Sequence, residues 1–185
     1  MNILLVDDEE CVIQDHRDAL AKDGHQVQWV NTLAEALLVM DGSEQGPTAN
    51  RFDLIVIDLM LGCDIPERLQ SHFKTLVKCH LNEGQALGLW LWAEAGRRQR
   101  NDGPAHCYFS SVPQNYQLAV GQSTQEFAGM LNPGHGSAST GSQCNALIFS
   151  KWEVKPKLIS ETLVQASNLW ARHYPVLSSA TNTPL

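Results

Sequence analysis

The chain has 185 residues, of which 43% are hydrophobic, and this is enough for one domain with a substantial core. Its formal net charge of −7 disfavours direct binding to nucleic acid or to an anionic membrane, because both need clustered cations. Five scattered cysteines without a C-x-x-C pair, no secretory signal pattern and no apolar run of about 18 residues indicate a cytoplasmic protein with reduced thiols.

The first third of the sequence alternates short apolar runs with amphipathic stretches. The pattern predicts strands over 2–6, 25–30 and 52–58, and helices over 9–23 and 32–42. The second helix begins with a capping-box sequence, Thr32-Leu33-Ala34-Glu35. The run Leu54-Ile55-Val56-Ile57 is too short for a helix and is typical of a strand buried on both faces. This order of elements predicts a parallel sheet with right-handed crossovers.

The rest of the chain is less regular. The pattern predicts a helix over 67–81, a second helix from Asn82, and strands over 105–109 and 146–150. It also predicts a last helix whose apolar, inward face includes Leu158, Ile159, Leu163, Ala166, Leu169 and Trp170. Residues 112–145 form a long, poorly patterned connection, and residues 174–185 read as a flexible tail or the start of a linker.

Four predicted strands end on groups that can carry chemistry. Asp7 and Asp8 follow the first strand, Asp58 the third, Ser110 the fourth and Lys151 the fifth. Each could simply be a polar residue leaving the core, and acids at a helix N-terminus also suit its dipole. However, the carboxyl ends of parallel strands share one edge of the sheet, so these residues should converge there.

Three neighbouring carboxylates cannot all remain ionised without a cation between them, and an oxygen-only ligand set favours Mg²⁺. We expect Asp8 and Asp58 to hold the ion, with Asp7 nearby or bound through water. Beside Mg²⁺, Asp58 could attack a phosphoryl group to give an aspartyl phosphate. Lys151 would then neutralise charge on the phosphoryl oxygens, and the Ser110 hydroxyl would hydrogen-bond them.

Three segments resemble the receiver domain of bacterial two-component response regulators: residues 4–9, residues 53–61 and the strand that ends in Lys151. The resemblance covers roughly residues 1–173. It implies an α/β fold of the flavodoxin-like type, a doubly wound parallel sheet of five strands in the order 2-1-3-4-5 with helices on both faces. Relative to the family, an extra helical insertion occupies about 62–84.

The resemblance also implies a function, the transfer of a phosphoryl group to Asp58, with no enzymatic activity beyond that transfer. The donor would be a sensor histidine kinase or a phosphotransfer protein, and the output would pass to a protein effector or through a homodimer. The implied roles are Asp7 and Asp8 as the acidic pair, the main-chain carbonyl of Met60 as a further Mg²⁺ ligand, Ser110 as the switch hydroxyl and Lys151 as the phosphate-binding lysine.

Two of these assignments involve a choice between neighbours. Ser110 is preferred to Ser111 because the family has a small residue directly after the hydroxyl. Lys151 is preferred to Lys155 because it ends the strand directly, although Lys155-Pro156 resembles the usual Lys-Pro pair.

The sequence also departs from the family. The family's Gly-Leu-x-Leu helix start is matched by Gly88-Leu89-Trp90-Leu91, well beyond its usual place. Ile148 stands where an aromatic residue is usual, and Trp152 follows the lysine instead of proline.

These departures keep two alternatives open. One is a receiver-like interaction module that no longer switches by phosphorylation. The other is a phosphohydrolase with Asp58 as its nucleophile, although Met60 stands where such an enzyme needs a second acid.

Overall fold

The computed structural model describes residues 1–41, 52–73, 82–97, 105–111 and 148–173. The strands are β1 (Asn2–Val6), β2 (Gln26–Val30), β3 (Leu54–Ile57), β4 (His106–Ser110) and β5 (Ile148–Ser150). The helices are α1 (Glu10–Lys22), α2 (Leu33–Asp41), α3 (Glu67–Phe73), α4 (Glu83–Arg97) and α5 (Pro156–His173). The predicted connection over 112–145 and the tail over 174–185 lie outside the described residues.

The five strands form one parallel sheet in the order β2-β1-β3-β4-β5, which confirms the predicted fold class. The strand β3 lies at the centre with all four of its residues buried, as its continuous apolar run requires. The strand β2 is at the edge, and only Val30 of its five residues is fully buried.

Helices cover both faces of the sheet. One core cluster contains buried residues of α2, α3 and α4, and the other contains buried residues of α1 and α5. The short helix α3 precedes α4 in the predicted insertion and buries Leu69 in the first cluster. In the described part of the chain, no helix is both long enough and apolar enough to cross a membrane.

One prediction about the helices is confirmed, and two others are wrong. The helix α4 begins at Glu83, which confirms the predicted helix from Asn82, whereas the segment Gly88-Leu89-Trp90-Leu91, matched to the family's helix start, lies inside the helix. Leu158 is 44% exposed, whereas its neighbour Ile159 is buried. Leu158 is in the first turn of α5, one position from Ile159 and therefore about 100° away from it around the helix axis, off the buried stripe.

A buried histidine links α1 to the loop that follows β5. His16 is 5% exposed, its ring packs edge-on against Phe109, and its Nε2 lies 2.8 Å from the carbonyl oxygen of Val154. Because a carbonyl oxygen can only accept, Nε2 carries the proton. This hydrogen bond connects α1 to the loop between Lys151 and α5.

The first turn of α4 packs directly on the chain at Asp58. A Cβ atom added to Gly84 would lie 1.9 Å from the carbonyl oxygen of Asp58 and 2.8 Å from the Cα atom of Leu59. The Gly84 N–H also donates to the Leu59 carbonyl at 3.2 Å. A residue without a side chain is therefore required here.

We expect Gly84→Ala to lower the free energy of unfolding by about 3 kcal/mol, because the obstacle is main chain at the centre of the sheet and cannot rotate away. Chemical denaturation monitored by circular dichroism measures the change.

Gly88→Ala is the matched control, since its added Cβ would instead meet the side chain of Tyr108, with the hydroxyl oxygen at 1.9 Å. Adding Tyr108→Phe should recover part of the stability lost in Gly88→Ala and none of that lost in Gly84→Ala. Equal recovery in both backgrounds would contradict the main-chain contact.

Candidate functional site

The ends of β1 and β3 bring three carboxylates together. Val6 pairs with Ile57, and the Asp58 N–H donates to the Val6 carbonyl at 2.8 Å, so Asp7 and Asp58 leave the sheet side by side. One carboxylate oxygen from each of Asp7, Asp8 and Asp58 lies within 4.8 Å of the others. Asp7 and Asp58 are buried, while Asp8 is exposed. The predicted convergence of the acids is therefore present.

The end of β5 places a lysine ammonium among these acids. Lys151 Nζ lies 2.6 Å from Asp58 Oδ2 and 2.8 Å from Asp7 Oδ2. The contact with Asp58 has the geometry of a hydrogen bond, whereas the contact with Asp7 is an ion pair without it. Lys151 is 3% exposed, and Lys155 is an exposed residue. Of the two lysines considered from the sequence, the structure brings Lys151 to the acids.

Burial and mutual repulsion set the protonation of the cluster. Burial raises the pKa of Asp7 to about 6, although Lys151 opposes this shift, and Asp58 adds to it. The pKa of Asp8 is also raised, first by partial burial and further by Asp58. Burial alone would lower the pKa of Lys151, but the carboxylates of Asp58 and Asp7 outweigh it and hold the pKa above its usual value. The lysine is therefore charged at neutral pH.

Glu9 is a member of the cluster that the sequence analysis missed. Its Oε2 accepts hydrogen bonds from Lys151 Nζ at 2.9 Å and from the Ser111 hydroxyl at 2.8 Å. The hydrogen bond from Lys151 lowers the pKa of Glu9. The available signal was a third acid directly after Asp7-Asp8, which reads equally well as a residue of the first helical turn.

Ser110 and Ser111 have different environments at the end of β4. Ser110 is 1% exposed, and its hydroxyl has no hydrogen-bond partner among the described residues. The hydroxyl of Ser111 is engaged by Glu9. A buried hydroxyl without a partner is costly, and a ligand oxygen would satisfy it. That Ser110, and not Ser111, is the switch hydroxyl remains a prediction.

Met60 lies in the loop after β3. Its N–H donates to Asp58 Oδ1 at 3.3 Å, and its side chain is 49% exposed. Asp58 is therefore held through both carboxylate oxygens, one by Met60 and the other by Lys151. That the carbonyl of Met60 binds an ion remains a prediction.

The cluster fits a hard divalent cation. The candidate ligands are all oxygens, which is the donor set that Mg²⁺ prefers, and one of the three carboxylates is open to solvent. Among the described residues, the Lys151 ammonium is the one cation found within 2.6–2.9 Å of Asp7, Glu9 and Asp58, with Asp8 close by, so negative charge is in excess there. Burial, with a smaller repulsion from Asp58, raises the pKa values of Asp7 and Asp8, and a cation bound by the three acids would offset both effects.

Comparisons with known proteins identify the fold. No family model and no curated protein matches the sequence. Solved structures do match. The phosphorylated cyanobacterial phytochrome response regulator RcpA is 14% identical, with 96% of this chain and 98% of that chain covered and a TM-score of 0.50.

Two further solved structures are also similar to this chain. A response regulator receiver domain protein from Clostridium thermocellum is 15% identical, covering 91% of this chain and 94% of that one, with a TM-score of 0.50. NtrX from Brucella abortus is 16% identical over 93% of this chain and 28% of its own, with a TM-score of 0.52. The chain thus has the fold of response regulator receiver domains over most of its length.

Proposed function

We propose that the protein is a response regulator of a two-component phosphorelay, which accepts a phosphoryl group on Asp58 with the help of Mg²⁺. The observation that carries this proposal is the contact of 2.6 Å between Lys151 Nζ and Asp58 Oδ2 inside a cluster of three carboxylates. A buried acid that faces a fixed ammonium and an ion site can receive an anionic group, whereas an acid in an ordinary helix cap has no such surroundings.

The residues divide the work of phosphoryl transfer. An oxygen of Asp58 attacks the phosphorus atom, the new O–P bond forms, and the bond to the donor's leaving group breaks. The Asp58 carboxylate is already aligned by Met60 and Lys151, so little reorganisation is needed. Mg²⁺, when bound by Asp7, Asp8 and Asp58, supplies positive charge to the phosphoryl oxygens.

Lys151 and Ser110 act on the product of that transfer. The ammonium of Lys151 can redirect an N–H from a carboxylate to a phosphoryl oxygen without moving far. The hydroxyl of Ser110, which lacks a described partner, can donate to another. A change in these two contacts at the ends of β4 and β5 would be the signal passed on.

The partners we propose are proteins. A sensor histidine kinase or a phosphotransfer protein would donate the phosphoryl group, and an effector protein or a second copy of this chain would receive the signal. The likeness to the phosphorylated regulator RcpA supports this assignment.

Two other functions make different predictions. A receiver-like module that no longer switches would keep the acids without accepting a phosphoryl group. An Asp-nucleophile phosphohydrolase would turn over phosphate esters, but the exposed side chain two residues after Asp58 is Met60, which cannot act as its acid.

The test is incubation with a small acyl phosphate and Mg²⁺, followed by intact-protein mass spectrometry. We expect the mass of one phosphoryl group to be added to the wild-type chain and nothing to be added to Asp58→Asn or in the presence of a chelator. No added mass in the wild type would favour the receiver-like module that no longer switches by phosphorylation. Rapid multiple turnover of phosphate esters would favour the hydrolase.

A further inference from the structure

Trp29 contacts the main chain of the acidic pair. It is the second-to-last residue of β2 and pairs with Leu5 of β1. Its indole Nε1–H donates a hydrogen bond of 2.8 Å to the carbonyl oxygen of Asp7. An indole N–H is a donor only, so the direction of this bond is fixed.

This hydrogen bond completes the anchoring of Asp7. The Asp7 N–H donates to the Val30 carbonyl at 3.0 Å, and Asp7 Oδ1 accepts the Glu9 N–H at 2.9 Å. The edge strand β2 therefore holds both the N–H and the C=O of Asp7, one through its main chain and the other through the Trp29 side chain.

The orientation of the Asp7 carbonyl also determines where Asp8 lies. The carbonyl belongs to the planar peptide group that joins Asp7 to Asp8, so fixing its direction fixes the position of the Asp8 Cα atom. Asp7 is buried and is held by packing and by Lys151. Asp8 is exposed, so the position of its carboxylate depends on the backbone more than on packing.

The indole ring itself is held in place. It is half-buried against the core cluster of α1 and α5, and the guanidinium carbon of Arg17 lies 4.8 Å from its centroid. A cation over the face of an indole is an attractive contact. The indole ring is therefore fixed between the core cluster and Arg17, and this fixes the direction in which its N–H points to Asp7.

We infer that Trp29 is a positioning residue for the divalent cation, acting through the Asp7–Asp8 peptide and touching neither the ion nor the phosphoryl group. This inference rests on the proposed function. It gives Trp29, a residue of the edge strand that is remote from Asp58 in the sequence, a role in the affinity for Mg²⁺.

The test compares Trp29→Phe with the wild type in two measurements. The dissociation constant for Mg²⁺, from calorimetric titration of the full chain, should rise about threefold to tenfold, which is the value of one hydrogen bond. The rate of Asp58 phosphorylation at saturating Mg²⁺ should stay unchanged, since the hydrogen bond of Trp29 is to the main chain of Asp7.

Trp152→Phe is the matched control. Its indole N–H also donates to a main-chain carbonyl, that of Ser111 at 3.1 Å, so it loses the same type of bond without touching the Asp7–Asp8 peptide. Arg17→Ala is a second variant, which keeps the indole N–H but removes the cation over its ring, and should raise the Mg²⁺ dissociation constant by about twofold.

Equal Mg²⁺ affinities for Trp29→Phe and Trp152→Phe would overturn the inference. A loss of phosphorylation rate in Trp29→Phe that saturating Mg²⁺ does not restore would also overturn it. If Trp29→Phe does not fold, an unchanged Mg²⁺ affinity in Arg17→Ala would overturn it. A wild-type chain that does not bind Mg²⁺ at all would overturn the proposed function itself, so the two failures are distinguishable.

Discussion

Asp7→Asn is expected to be more stable than the wild type at neutral pH without divalent cations, by about 3 kcal/mol. Burial in the cluster raises the pKa of Asp7 from 3.8 to about 6. A shift of about two units corresponds to about 3 kcal/mol by which the charged form is less favourable in the folded state. Asparagine has nearly the same shape and no charge, so it removes this penalty.

The sign of the pH dependence follows from the raised pKa. Between about pH 4 and pH 6 the folded state binds more protons at Asp7 than the unfolded state does, so the stability of the wild type rises as the pH falls through this window. The advantage of Asp7→Asn should therefore be complete above pH 6 and should vanish below about pH 4.

Urea denaturation at a series of pH values measures this advantage. Asp15→Asn is the control, because Asp15 is an exposed acid of α1 outside the cluster, and it should change stability little. Asp7→Asn should also bind Mg²⁺ more weakly, so that added Mg²⁺ narrows the difference from the wild type. An Asp7→Asn chain that is no more stable than the wild type at neutral pH, or that is equally favoured at pH 4, would contradict the raised pKa of Asp7.

Lys151→Met should have a large effect in the opposite direction. Lys151 is the ammonium that faces Asp7, Glu9 and Asp58, and its side chain is fully buried. Removing one partner of a buried charged cluster leaves the others uncompensated, which costs about 3–5 kcal/mol. Because its pKa is raised, the lysine contributes fully throughout the neutral range, and this contribution would be lost only at strongly alkaline pH.

Thermal and urea unfolding of Lys151→Met should show in two further ways that the stability is lost because the acids have no compensating charge. Mg²⁺ should restore more stability to Lys151→Met than it adds to the wild type, because the ion supplies positive charge to the same acids. The loss should also shrink at acid pH, where Asp7 is protonated. Lys155→Met, which alters an exposed lysine, should be close to neutral. Equal losses in the two variants would contradict the described cluster.

The sheet and the acidic pair could be predicted from the sequence because each depends on short-range patterns. The buried run of β3 has a strand length and no polar residue, and parallel strands must deliver Asp7, Asp8 and Asp58 to one edge. Lys151 could be chosen over Lys155 by its place directly after a strand.

The contacts that link the site to its surroundings could not be predicted in this way. The hydrogen bond from Trp29 to Asp7 joins two strands through a side chain whose direction no periodicity gives. The bond from His16 to Val154 spans 138 residues. The lack of space for a side chain at Gly84 appears only when α4 is packed on the main chain of Asp58.

The most direct test of the central claim is to find which residue carries the phosphoryl group. After incubation with an acyl phosphate and Mg²⁺, borohydride reduction converts an aspartyl phosphate to homoserine, and peptide mass spectrometry locates it. We expect homoserine at position 58 alone, and none when Mg²⁺ is chelated or when Asp58→Asn is used. Homoserine at position 7 or 8 instead, or an unmodified Asp58 in a chain that binds Mg²⁺, would contradict the assignment of Asp58 as the phosphoryl acceptor.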